Sequence, residues 1–199
     1  MRAQAYTLEA VTASLLLVGG LVFALQATAV TPLSASTSSQ HLENQHQAIA
    51  EGALAVADEQ DELKVAVLNW DDSVGQFHGV EDRTDDLDIY YAQQSPRNPF
   101  GSVLERSMEP RGIVFNVYVR YEGENGGQRT QRMVYRGEPS DNAVSASKTV
   151  TLFDHDVLYD NNENPTGPTL DTTTTFYASD VDSSDVYNVV EVEVVAWRQ

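Results

Sequence analysis

The side chains best suited to chemistry in this sequence are four histidines and a run of acidic residues near position 155. His41 and His46 lie five residues apart, and on a helix that spacing directs them to different faces, which makes a poor metal pair. His78 and His155 stand apart from them. The sequence contains no Gly-x-Ser-x-Gly, P-loop, dinucleotide-binding or His-Glu-x-x-His motif. We therefore expect no enzyme activity and no cofactor.

The pattern nearest to a cation site is the acidic loop that begins at Asp154. Oxygen donors at alternate positions of a loop suit calcium, and the candidate ligands are Asp154, Asp156 and Asp160. The glycine that turns an EF-hand loop is missing, and acidic residues are common throughout the chain. A solvated acidic loop without a bound metal is therefore the preferred interpretation.

Composition limits the partners of the chain. The 30 acidic and 12 basic residues give a net charge of −18, so the average surface repels phosphate and nucleic acid is not an expected partner. Hydrophobic residues make up 41%, enough to bury a core. Cysteine is absent, which excludes disulfides and thiolate metal sites.

An uncharged apolar segment dominates the N-terminal region. Residues 10–30 contain no charged side chain, and as a helix they span about 31 Å, close to the thickness of a bilayer's hydrocarbon core. We predict a transmembrane helix over residues 10–31, although a cleaved signal peptide and a plain signal anchor are alternatives. Arg2 ahead of the segment favours a cytoplasmic N-terminus and an extracellular C-terminal domain on a single-pass cell-membrane protein.

The residues before this segment carry a specific resemblance. The sequence RAQAYTLE, from Arg2 to Glu9, resembles a class III (prepilin or archaellin) signal, and the scattered acids with only two lysines resemble proteins of halophilic archaea. The whole chain, as far as its closing YNVVEVEV strand, resembles an uncharacterised family of membrane-anchored pilin-like proteins from halophilic archaea. The resemblance implies a type IV pilin-like protein with a signal head over residues 1–9.

The resemblance also implies processing by a prepilin peptidase-like enzyme. Such enzymes cut ahead of the apolar helix, which stays on the mature protein. Position by position, the cut falls between Ala3 and Gln4, and the alternative lies between Ala5 and Tyr6.

Assembly with other pilin-like subunits points to three residues. In type IV pilins a glutamate at mature position five pairs with a neighbour's terminal amine; Glu9 is sixth after a cut at Ala3 and fourth after a cut at Ala5, so neither register matches. A carboxylate at the mouth of an apolar helix still needs water or a cation. Gly20 and Ala24 lie four residues apart and, with Thr28, form a stripe that permits close helix packing.

The rest of the sequence predicts an α+β domain over residues 40–199, after a polar linker over residues 32–39 in which Pro32 breaks the first helix. A second, amphipathic helix is predicted over residues 40–68 and a short one from Pro99. Alternating apolar residues predict a roughly four-stranded antiparallel sheet packed on the second helix. The predicted strands are 113–121, 128–136, 143–153 and 187–197, with acidic loops over 70–96 and 154–171.

Two functions share these features. The first is a minor pilin-like, membrane-anchored surface protein, a component of a type IV pilus-like filament or secretion apparatus. Its partners would be the membrane, a prepilin peptidase-like enzyme and other pilin-like subunits. The alternative is a permanently anchored cell-surface binding domain that does not assemble. Cleavage of the N-terminal head separates the two.

Overall fold

The structure is a computed structural model that describes the backbone of residues 2–80, 90–160, 162–181 and 183–198. Within these ranges, the side chains of residues 2–8 and 26–39 are left out. The chain divides into two compact units, Met1–Leu42 and Glu43–Gln199, which are described separately below.

Helix α1 has its bounds at Arg2 and Glu59, so it contributes to both units. The predicted linker over residues 32–39, with a break at Pro32, lies inside these bounds. An interior proline removes only one backbone hydrogen bond, at a cost of about 3 kcal/mol, so a helix can continue past it.

The prediction of a transmembrane helix over residues 10–31 was wrong. In the part of the chain that the structure describes, no helix is long and apolar enough to cross a membrane. The predicted single-pass location in the cell membrane, with a cytoplasmic N-terminus and an extracellular domain, depended on that helix and is therefore also wrong.

The second unit begins with the last turns of α1 and a separate short helix. The backbone at Asp61 turns to a positive φ of 58°, and α2 then runs from Glu62 to Val67. The single helix predicted over residues 40–68 is therefore two helices. Both bury small and branched apolar side chains in the core, among them Ala53, Leu54 and Val67.

A hairpin and a third helix follow. Strands β1 (Trp70–Asp71) and β2 (Gln76–Phe77) pair within the predicted acidic loop, of which residues 81–89 lie outside the described part. Helix α3 spans Pro99–Met108 and starts as predicted, because the Asn98 side chain accepts a hydrogen bond from the Gly101 amide at 3.0 Å.

The predicted four-stranded antiparallel sheet is confirmed. Its strands are β3 (Ile113–Glu122), β4 (Gln128–Val134), β5 (Val144–Phe153) and β8 (Val186–Arg198). Their order is β4-β3-β8-β5, so the last strand in sequence lies in the middle. Between β5 and β8, a small hairpin of β6 (Val157–Tyr159) and β7 (Pro165–Thr169) occupies part of the predicted acidic loop.

One face of the sheet forms the core. Along β8, Val190, Val192 and Val194 are fully buried, whereas Glu191 and Glu193 are half-buried on the other face, as the alternation predicts. Ring contacts among Trp70, Phe77 and Tyr177 extend this core beneath the first hairpin.

Candidate functional site

An apolar surface on α1 is the feature of the first unit that most needs an explanation. Nine large apolar side chains between residues 11 and 25 are 47–76% exposed; we call them the apolar helix surface. They are Val11, Leu15, Leu16, Leu17, Val18, Leu21, Val22, Phe23 and Leu25.

These side chains lie on every side of the helix. Leu15, Leu16, Leu17 and Val18 are consecutive, and successive helical residues are turned by about 100°, so these four alone encircle the axis. Helices with one apolar stripe pack one side on a core; a helix that is apolar all round has to be surrounded.

The free energy involved is large. Burying a Val, Leu or Phe side chain completely is worth about 1.5–3 kcal/mol. Since each of the nine is roughly half to three quarters exposed, covering them would gain on the order of 10 kcal/mol. Monomeric proteins rarely leave so much contiguous apolar surface in water, so the surface indicates an interaction site.

The predicted assembly residues lie on the same stretch. Glu9, Gly20 and Ala24 are all exposed, and a Cβ added at Gly20 would meet no atom within 4 Å. The backbone around Gly20 is therefore open to a close neighbour. The predicted processing residues Ala3, Gln4, Ala5 and Tyr6, and also Thr28, lie outside the residues whose side chains are described.

The candidate calcium ligands Asp156 and Asp160 make different contacts in the structure. Asp156 Oδ2 lies 2.7 Å from Lys64 Nζ and accepts a hydrogen bond from the Phe153 amide. Asp160 Oδ1 accepts hydrogen bonds from the amides of Asn164 and Asn162, which lower the pKa of the carboxyl. Among the described residues, no group of three or more His, Asp or Glu side chains is arranged to hold a metal ion.

The first hairpin brings Asp71, Ser73 and His78 together, which the sequence analysis did not anticipate. Ser73 Oγ donates a hydrogen bond to Asp71 Oδ1 at 2.5 Å, and His78 Nδ1 lies 3.7 Å from Asp71 Oδ2. The serine hydrogen bond lowers the pKa of Asp71. In a catalytic triad the hydroxyl bonds to the imidazole and not to the carboxylate, so this cluster is not an activated nucleophile.

A groove on α3 was also missed by the sequence analysis. It measures about 660 Å³ and is lined by Arg97, Asn98, Pro99, Ser102, Glu105, Arg106 and Glu163. Glu163 follows β6, some 60 residues later in the chain, so no local pattern could have placed it beside α3.

Fold and site together define an α+β protein with an apolar helix surface. Among its described residues, no catalytic group is assembled. The chain belongs to a family of unknown function, DUF7288, whose model matches residues 2–196. No curated protein and no solved structure matches the chain. The resemblance to pilin-like proteins of halophilic archaea stays a prediction.

Proposed function

We propose that the chain is a non-enzymatic structural subunit that assembles with further copies of itself through the apolar helix surface, in the manner of a type IV pilin-like protein. The observation that carries the proposal is the set of nine exposed apolar side chains on all sides of α1. The sequence resemblance of residues 2–9 to a class III signal supports the same function.

Several copies cover such a surface better than one unrelated partner does. A partner with a single groove covers one side of a helix and leaves the others in water. Identical helices packed in a bundle each bury apolar side chains on several sides. The open backbone at Gly20 and the small side chain of Ala24 permit close approach of a neighbouring helix.

Light scattering on the purified full-length chain tests the proposal. The wild-type protein should have the mass of several subunits, and Leu17→Asp, which places a charge at a position that is 76% exposed, should give a monomer. Val74→Asp is the matched control, because Val74 is also exposed, at 59%, but lies in the turn between β1 and β2. A monomeric wild-type protein, or an unchanged mass for Leu17→Asp, would overturn the proposal.

Processing by a prepilin peptidase-like enzyme is the second part of the proposal. The mass of the N-terminal peptide should be measured for the protein isolated from its natural source. It should correspond to a chain starting at Gln4, or at Tyr6 for the alternative cut. A chain that still starts at Met1 or Arg2 would contradict processing and leave the assembly experiment as the only support for a pilin-like role.

A further inference from the structure

Among the arginines that the structure describes, Arg97 and Arg106 are two that form no ion pair with a carboxylate, in a chain with 30 acidic and 12 basic residues. Arg97 donates to Gln94 Oε1 at 3.3 Å, and Arg106 donates to the Ser102 backbone oxygen at 3.1 Å. In contrast, carboxylates pair with Lys64, Lys148, Arg120 and Arg136. The charges of Arg97 and Arg106, both exposed, are therefore available to an anionic ligand.

Both arginines line the groove on α3. Asn98 lines it as well and is only 6% exposed. Its Oδ1 caps α3 by accepting from the Gly101 amide, but its buried Nδ2 has no hydrogen-bond partner. A buried donor without an acceptor is unfavourable, so a rearrangement of Asn98 that gave its amide an acceptor would be favoured.

The other groove residues restrict what can bind. Glu105 and Glu163 carry negative charge, and the Ser102 hydroxyl already donates to the Asn98 backbone oxygen at 3.3 Å. With two arginines and two glutamates the groove has no net charge, so a densely charged polyanion is disfavoured. A carboxylate side chain fits better, since one arginine can bind it with two parallel hydrogen bonds.

We infer that this groove binds carboxylates on α1 of a second copy of the chain, and this inference rests on the proposed function. Residues 40–59 contain four acidic residues and no lysine or arginine, and of the acidic residues Glu51 and Glu59 are exposed. Copies with a charge of −18 repel one another, so an assembly needs favourable charge contacts between subunits. Arg97 and Arg106 provide them.

Charge reversal in the full-length chain tests the inference. Arg106→Glu should weaken self-association by about tenfold or more, measured by sedimentation, because it replaces an attraction with a repulsion. Arg198→Glu is the matched control: it makes the same charge change at an exposed arginine at the end of β8 and should alter association less than about twofold. Circular dichroism checks that both variants fold.

A rescue identifies the partner residues. Adding Glu51→Arg and Glu59→Arg to Arg106→Glu should restore most of the lost association, and a failure to restore it would overturn the assignment to α1. If Arg106→Glu behaves like Arg198→Glu while Leu17→Asp still abolishes association, the groove inference fails and the proposed function stands. If the wild-type protein does not associate at all, the proposed function itself fails.

Discussion

Lys148 Nζ lies 2.9 Å from Asp58 Oδ2 and joins the edge strand β5 to the last turn of α1. Lys148 belongs to the core-facing side of β5, between the buried residues Ala146 and Val150. A lysine on the inner side of an edge strand hinders pairing with another sheet edge, because such pairing would bury its charge. The ion pair is therefore a contact within the fold, and its lysine also hinders edge-to-edge aggregation.

Lys148→Val should separate these two effects. Both partners are about 40% exposed, so the free energy of unfolding should fall by less than about 1 kcal/mol. Aggregation at high concentration, followed by turbidity, should increase, because β5 then presents an uncharged edge. Lys148→Arg keeps the charge, so a solution of this variant should stay clear. Equal turbidity for the two variants would contradict the argument that the lysine protects the edge of β5.

Two helical glycines should respond to alanine in opposite directions. A Cβ at Gly101 would lie 1.9 Å from the Pro96 backbone oxygen, so Gly101→Ala should lower the free energy of unfolding by about 3 kcal/mol. A Cβ at Gly52, inside α1, would meet nothing within 4 Å. Gly52→Ala should therefore raise stability by about 0.5–1 kcal/mol, the difference in helix propensity. Denaturant titration measures both, and a stable Gly101→Ala would refute the packing described there.

Alkaline pH should weaken the fold through Tyr187. Burial, with smaller effects from Asp180 and Asp154, raises its pKa to about 12, and its hydroxyl donates to the Ala178 backbone oxygen at 2.9 Å. The unfolded tyrosine ionises near pH 10, so between about pH 10 and pH 12 the unfolded state holds fewer protons and stability falls as pH rises. Tyr187→Phe should lose less stability between pH 7 and pH 11 than the wild type. An identical loss in both proteins would show that Tyr187 does not contribute.

Added salt should stabilise the second unit. With a net charge of −18, repulsion among surface carboxylates opposes the compact state. Raising NaCl from about 0.1 M to about 1 M shortens the Debye length from about 10 Å to about 3 Å, so the thermal midpoint should rise. Arg198→Glu, which replaces a positive charge with a negative one and takes the net charge from −18 to −20, should gain more from the salt than the wild type does. A midpoint that falls with salt would mean that attractive ion pairs dominate.

Local signals allowed much of the fold to be predicted. Asn98 and Pro99 form a cap and a first turn that depend on neighbouring residues only, and α3 begins there. Val190, Val192 and Val194 of β8 alternate with Glu191 and Glu193, so the strand and its buried face were predicted within one or two residues. These elements depend on interactions between residues that are close in the sequence, so a local pattern is enough to predict them.

Other features depend on contacts that a sequence does not show. The break at Asp61 and the β6–β7 hairpin follow from how α2 and the late loops pack, with Lys64 pairing to Asp156 across them. The groove on α3 needs Glu163 and Arg97 in one place, which only the tertiary fold provides. The transmembrane prediction failed because it rested on length and the lack of charge alone.

The position of β8 affects how the chain is made. β3 and β5 both pair with β8 and not with each other, so the sheet cannot close before residues up to Arg198 have left the ribosome. The apolar helix surface, in contrast, comes before every strand of the sheet in the chain and is synthesised before them. Nascent chains on one polysome thus expose the apolar helix surface while the domain behind it is still unfolded, which favours early encounters between copies.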